Sequence, residues 1–301
     1  MRIRLLTALA VGFAAAAAFA QGGDAGKAKG HRFIGASWQG TGTIWIVDAD
    51  GNVEWEKKVG ECLDVSLLPN GNVFYAARWT TRPRQKEPAV AEADRDGKST
   101  VAEVDRHGKV VWEHVVNGEI YSAQRLANGN TMINENTQFR ITEVDPRGRI
   151  VHEIPIVPKS HPHGGPRHAR KTDAGTYLVC LKGEGDVREY DPQGKIVRSF
   201  KVPKPMGVSR LANGNTLVAT ADRTIIEFDK DCKEVWKITD ADLPADLRPE
   251  KGAYRGLCAE RLKNGNTVAS FEGVLVEFAP DKSIVWRSRP FRGLMGFQLI
   301  D

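Results

Sequence analysis

Long apolar runs are missing from this 301-residue chain after its first twenty residues, so no later helix could cross a bilayer. Cysteine is scarce. Cys62, Cys180, Cys232 and Cys258 include no C-x-x-C, which leaves a zinc knuckle or a dithiol redox pair without local support. Lysine and arginine are interspersed with acids and form no block that could follow a phosphate backbone, so no nucleic-acid partner is expected. The G-x-S-x-G elbow, the phosphate-binding P-loop and the dinucleotide fingerprint are absent. Two Asp-x-Asp-Gly stretches, at 48–51 and 94–97, lack the further ligands and closing Glu that a calcium loop needs.

The one apolar run stands at the start. Arg2 and Arg4 precede it, and Ala18-Phe19-Ala20 closes it, the pattern of a secretory signal peptide over 1–20. Residues 21–30 read as a Gly/Lys/Ala linker and 31–301 as one domain. An exported, periplasmic or extracellular monomer is expected. Removing Arg2 and Arg4 with the leader lowers the formal net charge from +5 to +3. An oxidising compartment permits disulfides, yet the four cysteines fall at positions that do not obviously pair. Four unbridged thiols are expected, with Cys62–Cys258 as the alternative.

What the chain has in abundance is a repeat. RLANGNTMIN (125–134), RLANGNTLVA (210–219) and RLKNGNTVAS (261–270) are its clearest copies, SLLPNGNVFY (66–75) is a fourth, and RKTDAGTYLV (170–179) is a degenerate fifth. A second motif runs between them: VDADGNVEW (47–55), VDRHGKVVW (104–112), VDPRGRIVH (144–152), YDPQGKIVR (190–198), FDKDCKEVW (228–236) and FAPDKSIVW (278–286). Asn-Gly between alternating apolar runs signals a hairpin, here read as a two-residue type I′ turn. The Asp-x-x-Gly segments read as the next hairpin of each unit. In 231–233 and 280–282 the Gly is missing, so those two turns are expected to be longer or differently built.

Four-stranded units at this spacing predict an all-β, six-bladed β-propeller of antiparallel blades. Five blades are complete in sequence, near 62–115, 120–154, 167–200, 207–238 and 256–286. The sixth is split: 296–301 resembles the first strand of a unit and 31–35 the strand that follows. Pairing the two ends would close the ring and remove open sheet edges. Trp55, Trp112, Trp236 and Trp286 recur at equivalent places and read as packing between blades.

Chemistry is expected at the channel mouth on the face opposite these hairpins, where three long connections lie: 78–100, 156–167 and 239–255. Ser160-His161-Pro162-His163-Gly164-Gly165-Pro166-Arg167-His168 packs three of the seven histidines into nine residues. His161, His163 and His168 could hold a metal with help from Cys258, Asp64 or Glu260, or contact an anion; spacing alone assigns no metal. Six residues before the turn Asn the blades present Asp64, Ser122, His168, Gly207, Cys258 and Met295, and one residue earlier Leu63, Tyr121, Arg167, Met206, Leu257 and Leu294. Asp64, Tyr121, Arg167 and His168 thus converge on one side, with Arg255 and Glu260 opposite. Arg167, with its planar fork of donors, suits an anionic or oxygen-rich ligand.

LANGNTLVA (211–219) and VDRHGKVVW (104–112) resemble the repeats of the PQQ-binding-like propeller superfamily, and more closely those of six-bladed arylsulfotransferase-like propellers. The resemblance covers essentially the whole mature chain and implies the fold. The eight-bladed quinoproteins carry vicinal cysteines by the cofactor, and none are adjacent here, so no PQQ is expected. The arylsulfotransferase resemblance implies His168 as nucleophile or base, Arg167 as sulfate clamp and Tyr121 beside them, without the family's usual His doublet. Two readings follow. The leading one is an exported, non-catalytic propeller that binds a small molecule, glycan or protein on its loop-rich channel face, with Asp64, His161, His163, Arg255 and Glu260 as ligand contacts. The alternative is a transferase or lyase-like enzyme using His168, Arg167 and Tyr121 on that face.

Overall fold

The computed structural model describes residues 30–38, 42–78, 97–157, 165–248, 258–271 and 273–300. Among these, 24 strands form six four-stranded antiparallel sheets arranged as a six-bladed propeller. The innermost strands of blades 1 to 5 are β4 (Glu61–Leu67), β8 (Ile120–Arg125), β12 (Pro166–Lys171), β16 (Pro205–Arg210) and β20 (Ala259–Arg261). Blade 6 has the order β24 (Leu294–Leu299), β1 (Phe33–Ser37), β2 (Thr43–Val47), β3 (Val53–Lys58). Its β24–β1 register runs Phe33 to Leu299 and Gly35 to Phe297, so the end of the chain closes the ring beside its beginning. Gly296 sits where this closure is tightest: a Cβ there would lie 2.2 Å from the Leu63 carbonyl oxygen of blade 1.

The letters of the repeat each have a task. In blade 2, Arg125 reaches back to Glu103 of blade 1 at 3.0 Å and donates to Thr131 at 2.8 Å. Arg210 and Arg261 repeat this with Glu189 and Thr216, and with Glu227 and Thr267. The second Asn binds the same carboxylate from within its own blade: Asn72 to Glu103 at 2.7 Å, Asn215 to Glu227 at 2.6 Å. Each such Glu joins a turn in its own blade to the first strand of the next. Blade 3, with the degenerate copy, substitutes Lys171 and the Tyr177 hydroxyl on Glu143 of blade 2. The seam tryptophans do the same work further out. Trp55, Trp112 and Trp236 donate their indole N–H to the Arg106, Pro146 and Pro280 carbonyls of the following blade, which is packing between blades as expected. Inner strands are buried on both faces because every blade lies between two others, while valines and isoleucines of the outermost strands, such as Val111 and Val151, are exposed.

Two turn expectations need correcting. The Asn-Gly hairpins are three-residue loops, a turn followed by a left-handed glycine, and not two-residue type I′ turns. In blade 1, Leu68 N–H bonds Asn72 O and Gly71 N–H bonds Leu68 O, and only Gly71 has positive φ (82°). Asn70 stays out of the left-handed region because its side-chain oxygen accepts the Asn72 N–H at 3.0 Å, an Asx turn. The turns at 231–233 and 280–282 are neither longer nor different. Asp229 N–H bonds Lys233 O and Ala279 N–H bonds Ser283 O, matching Asp48 with Asn52. Cys232 (φ 63°) and Lys282 (φ 73°) are forced into the glycine conformation. Cys62, Cys180, Cys232 and Cys258 are all free thiols.

Candidate functional site

Inner strands do not run straight into the channel. A bulge interrupts pairing between Cys62 and Asp64, Ile120 and Ser122, Pro166 and Ala169, Pro205 and Gly207, and opposite Ala36 and Ser37 in blade 6. The extra residue re-aims the side chains around it. Neighbouring blades hold the bulges in place: Asn134 and Asn136 donate to the Arg167 and Pro166 carbonyls at 2.8 Å, and Ser270 donates to the Met295 carbonyl at 3.0 Å.

Three layers result. The bulge residues Leu63, Tyr121, Arg167, Met206 and Met295 make the layer nearest the loop-rich face. Leu63, Tyr121 and Met295 pack into one apolar cluster with Trp38 and Met206. Below come Asp64, Ser122, His168, Gly207, Cys258 and Gly296, and below those Ser66, Gln124, Arg170, Ser209, Glu260 and Gln298. The expected register holds for the other described blades and slips by one in blade 6. There Met295 belongs with Tyr121 and Gly296 with Ser122, because Gly296 pairs with Ala36 as Ser122 pairs with Asn134. Blade 6 has no Asn-Gly turn after β24 to count back from.

The middle layer stitches blades together. Asp64 accepts the Ala123 N–H at 3.0 Å, the Ser122 hydroxyl accepts Ala169 N–H at 2.9 Å, and His168 Nδ1 accepts Val208 N–H at 3.3 Å. In the lower layer Gln124, Glu260 and Gln298 accept from Lys171, Leu299 and Leu67. Each channel acceptor satisfies an edge N–H of the next inner strand, which a propeller would otherwise leave facing the axis.

Arg170 crosses that axis. It binds Asp64 of blade 1 through Nη2 at 2.6 Å and Nη1 at 2.8 Å. Burial alone would raise the Asp64 carboxyl; Arg170 outweighs it and holds the group below the usual carboxylate range. Burial likewise opposes the Arg170 charge, and Asp64 restores it. His168 lies between them in sequence space and 8% exposed. Burial, helped by Arg170, pushes its imidazole down to about 3. It is therefore neutral, and since Nδ1 accepts a hydrogen bond the proton sits on Nε2.

The upper layer has a different character. Two guanidiniums lie against the Tyr121 ring, Arg167 at 4.2 Å and Arg78 at 5.0 Å from its centroid. Arg78 donates to the Tyr121 hydroxyl at 2.8 Å and pairs with Glu61 and Glu119 at 2.9 and 3.2 Å. Among the expected site residues, Tyr121 and Arg167 thus stack together, Asp64 and His168 share the layer beneath, and Glu260 lies one layer lower. His161, His163 and Arg255 lie outside the described residues, as does the proposed metal cluster with His168. No group of metal-ligating side chains occurs among the described residues. Arg170 and Arg78 were not anticipated. Arg170 was legible as the lone cation in a row otherwise made of Ser66, Gln124, Ser209, Glu260 and Gln298; Arg78, at the end of a second strand, had no such signal.

A sequence profile of the Mal s 1 allergenic protein-like family matches residues 35–245. The chain belongs to that family. No curated protein matches the sequence. Among solved structures this Mal s 1-like chain is similar to a protein of unknown function from Bacteroides caccae, with 18% identity and a TM-score of 0.67 over 89% of this chain and 98% of that one. It is also similar to a streptogramin B lyase (12% identity, TM-score 0.57, 89% and 87% covered). Virginiamycin B lyase from Staphylococcus aureus gives 12% identity and a TM-score of 0.55 over 87% and 85%. At these identities the likeness is one of fold.

Proposed function

We propose that this Mal s 1-like chain is an exported, non-catalytic binding propeller whose loop-rich channel face recognises an oxygen-rich ligand. The observation that carries the reading is the Arg78–Tyr121–Arg167 stack at that face. Two guanidiniums against an aromatic ring concentrate positive charge and planar donors at the mouth, a chemistry suited to carboxylate, sulfate or sugar oxygens.

The groups beneath are committed to holding blades together, which favours binding over turnover. His168 carries its proton on Nε2 and gives Nδ1 to Val208, so neither nitrogen offers a lone pair to a substrate. Both Asp64 oxygens are taken by Arg170. Burial pushes the Cys258 thiol up to about 12. An arylsulfotransferase-like reaction through His168 would first have to break its bond to Val208. Export rests on the signal-peptide pattern of 1–20 and places the mature amino terminus at Gln21.

The test is a binding panel of sulfated and carboxylated glycans read by calorimetry on the mature chain, beside the Arg167→Ala variant. Binding that weakens about tenfold or more in the variant supports the reading. Hydrolysis or transfer from an aryl sulfate ester, abolished by His168→Ala, would replace it with the enzyme. Amino-terminal sequencing of secreted protein should begin at Gln21.

A further inference from the structure

The stitching of the middle layer has a gap. Asp64, Ser122 and His168 accept the N–H of Ala123, Ala169 and Val208 on the next inner strand, and the Phe297 N–H turns to the Cys258 sulfur. In blade 4 the accepting place is Gly207, which has no side chain, and the N–H it would take is that of Ala259. Ser270 N–H bonds the Cys258 carbonyl at 3.2 Å and Ala259 faces Ala269, so Ala259 stands in a non-hydrogen-bonded pair with its N–H turned away from the neighbouring strand. No acceptor for it occurs among the described residues. Blade 6 also has a glycine in this layer, but there the Leu63 carbonyl closes in, 2.2 Å from where a Cβ would be. Beside Gly207 the space stays open as a chamber of about 160 Å³, walled by His168, Gly207, Leu217, Ala219, Ala259 and Phe297. A second donor belongs to the same wall. The His168 Nε2–H meets no acceptor among the described residues although the side chain is more than nine-tenths buried.

We infer that this chamber binds a small neutral carbonyl compound, its oxygen on the Ala259 N–H and the His168 Nε2–H and its carbon body on Leu217, Ala219 and Phe297. The oxygen takes the place of the side chain that Gly207 lacks. A carbonyl oxygen has two lone pairs, enough for both donors. Charge excludes ions. His168 is neutral and Asp64 neutralises the neighbouring Arg170, so an anion would give up its water for no uncompensated cation. An amine would set donors against donors and leave the buried ones unsatisfied. Size limits the carbon body. An apolar cavity of about 150 Å³ holds a benzene ring, about six heavy atoms, which here admits a five-membered cyclic ketone or lactam. The site lies below the Arg78–Tyr121–Arg167 face and shares none of those three side chains.

Amide hydrogen exchange and ligand titration by NMR on the mature chain test this. Without ligand, the Ala259 amide should exchange faster than those of Ala123 and Ala169, which have acceptors. Cyclopentanone or 2-pyrrolidinone should shift the Ala259 amide and the His168 Nε2–H resonances and slow the Ala259 exchange. At least one of the two should bind about tenfold more tightly than butyrate or cyclopentylamine, and the larger acetophenone should not bind. Gly207→Ser copies Ser122 of blade 2 at a place outside the positive-φ region. It should supply the missing acceptor, slow the Ala259 exchange without ligand, and weaken ketone binding about tenfold or more, with no loss in the denaturation midpoint. Should that variant not fold, the exchange rates and the ligand comparison decide alone. An Ala259 amide as slow as Ala123 in the free protein, no binding by either carbonyl compound, butyrate binding as well as cyclopentanone, or a folded Gly207→Ser variant that binds like the parent would overturn the inference.

Discussion

Between blades, Arg125, Arg210 and Arg261 make one and the same contact, to Glu103, Glu189 and Glu227. Three residues earlier on the same strands, in the channel, Ser122, Gly207 and Cys258 share nothing. The seam must repeat because each blade meets its neighbour in the same way. The channel is a single space shared by six strands, where each residue answers to residues across the axis, as Arg170 does to Asp64. Two seams keep the Glu and change its partner, Lys171 on Glu143 and His31 on Glu277, and a third has neither charge. Where blade 6 meets blade 1, the Glu and Arg places are taken by Ile46 and Leu67, both in one apolar cluster. The polar seam is thus one solution among two, and the closing blade uses the hydrophobic one only where it meets blade 1.

The sharpest way to break the channel is Asp64→Ala. It strands Arg170 and removes the acceptor of Ala123 N–H, and should cost about 3–5 kcal/mol in chemical denaturation. The pair also sets an acid limit. The folded Asp64 pKa lies below its unfolded value, so its contribution is complete above the unfolded pKa of about 4 and is lost as pH falls below that. At a seam, Arg125→Leu alone should cost about 2 kcal/mol, because Glu103 is left half-buried without its cation. The double variant Glu103→Ile, Arg125→Leu copies the closing seam and should recover most of that loss. A double variant as unstable as the sum of the singles would show that the two seam types are not interchangeable.

Legibility followed the same division. The blade count, the closure through Phe33 and Leu299, and the seam role of the tryptophans were readable because each recurs, and recurrence is a pattern a sequence displays. The upper and middle layers were placed by counting back from a turn, and the count slipped in blade 6, where β24 has no Asn-Gly turn. Arg78 was invisible because its partners Glu61, Glu119 and Tyr121 come from two blades and meet only in the closed ring. Asn134, inside a strand, and Asn136, in the turn just after it, fix the Arg167 bulge, and nothing local marks either as a support.

A smaller effect bears on how strictly the periphery obeys its repeat. Cys232 and Lys282 hold the left-handed place that Gly51, Gly108, Gly148 and Gly194 fill elsewhere. Cys232→Gly and Lys282→Gly should each raise stability by about 0.5–1 kcal/mol, the relief of strain less the added freedom of the unfolded chain. A loss of stability in both would mean that these side chains make compensating contacts and that the turn tolerates departures from the repeat.

The smallest effect at neutral pH belongs to His168 and separates a structural imidazole from a titrating one. Its folded pKa, about 3, lies far below the unfolded value near 6.5. Between those limits the unfolded chain binds a proton that the folded chain refuses. Stability should therefore be flat above about pH 6.5 and fall below it by about 1.4 kcal/mol per pH unit, the slope for one proton taken up on unfolding, until acid unfolding through Asp64 takes over. In the folded protein the ring resonances of His168 should not move between about pH 8 and pH 5, a range in which an exposed histidine titrates fully. A His168 transition inside that range would mean that Nδ1 is not committed to Val208, and would return the residue to the list of groups able to exchange protons with a ligand.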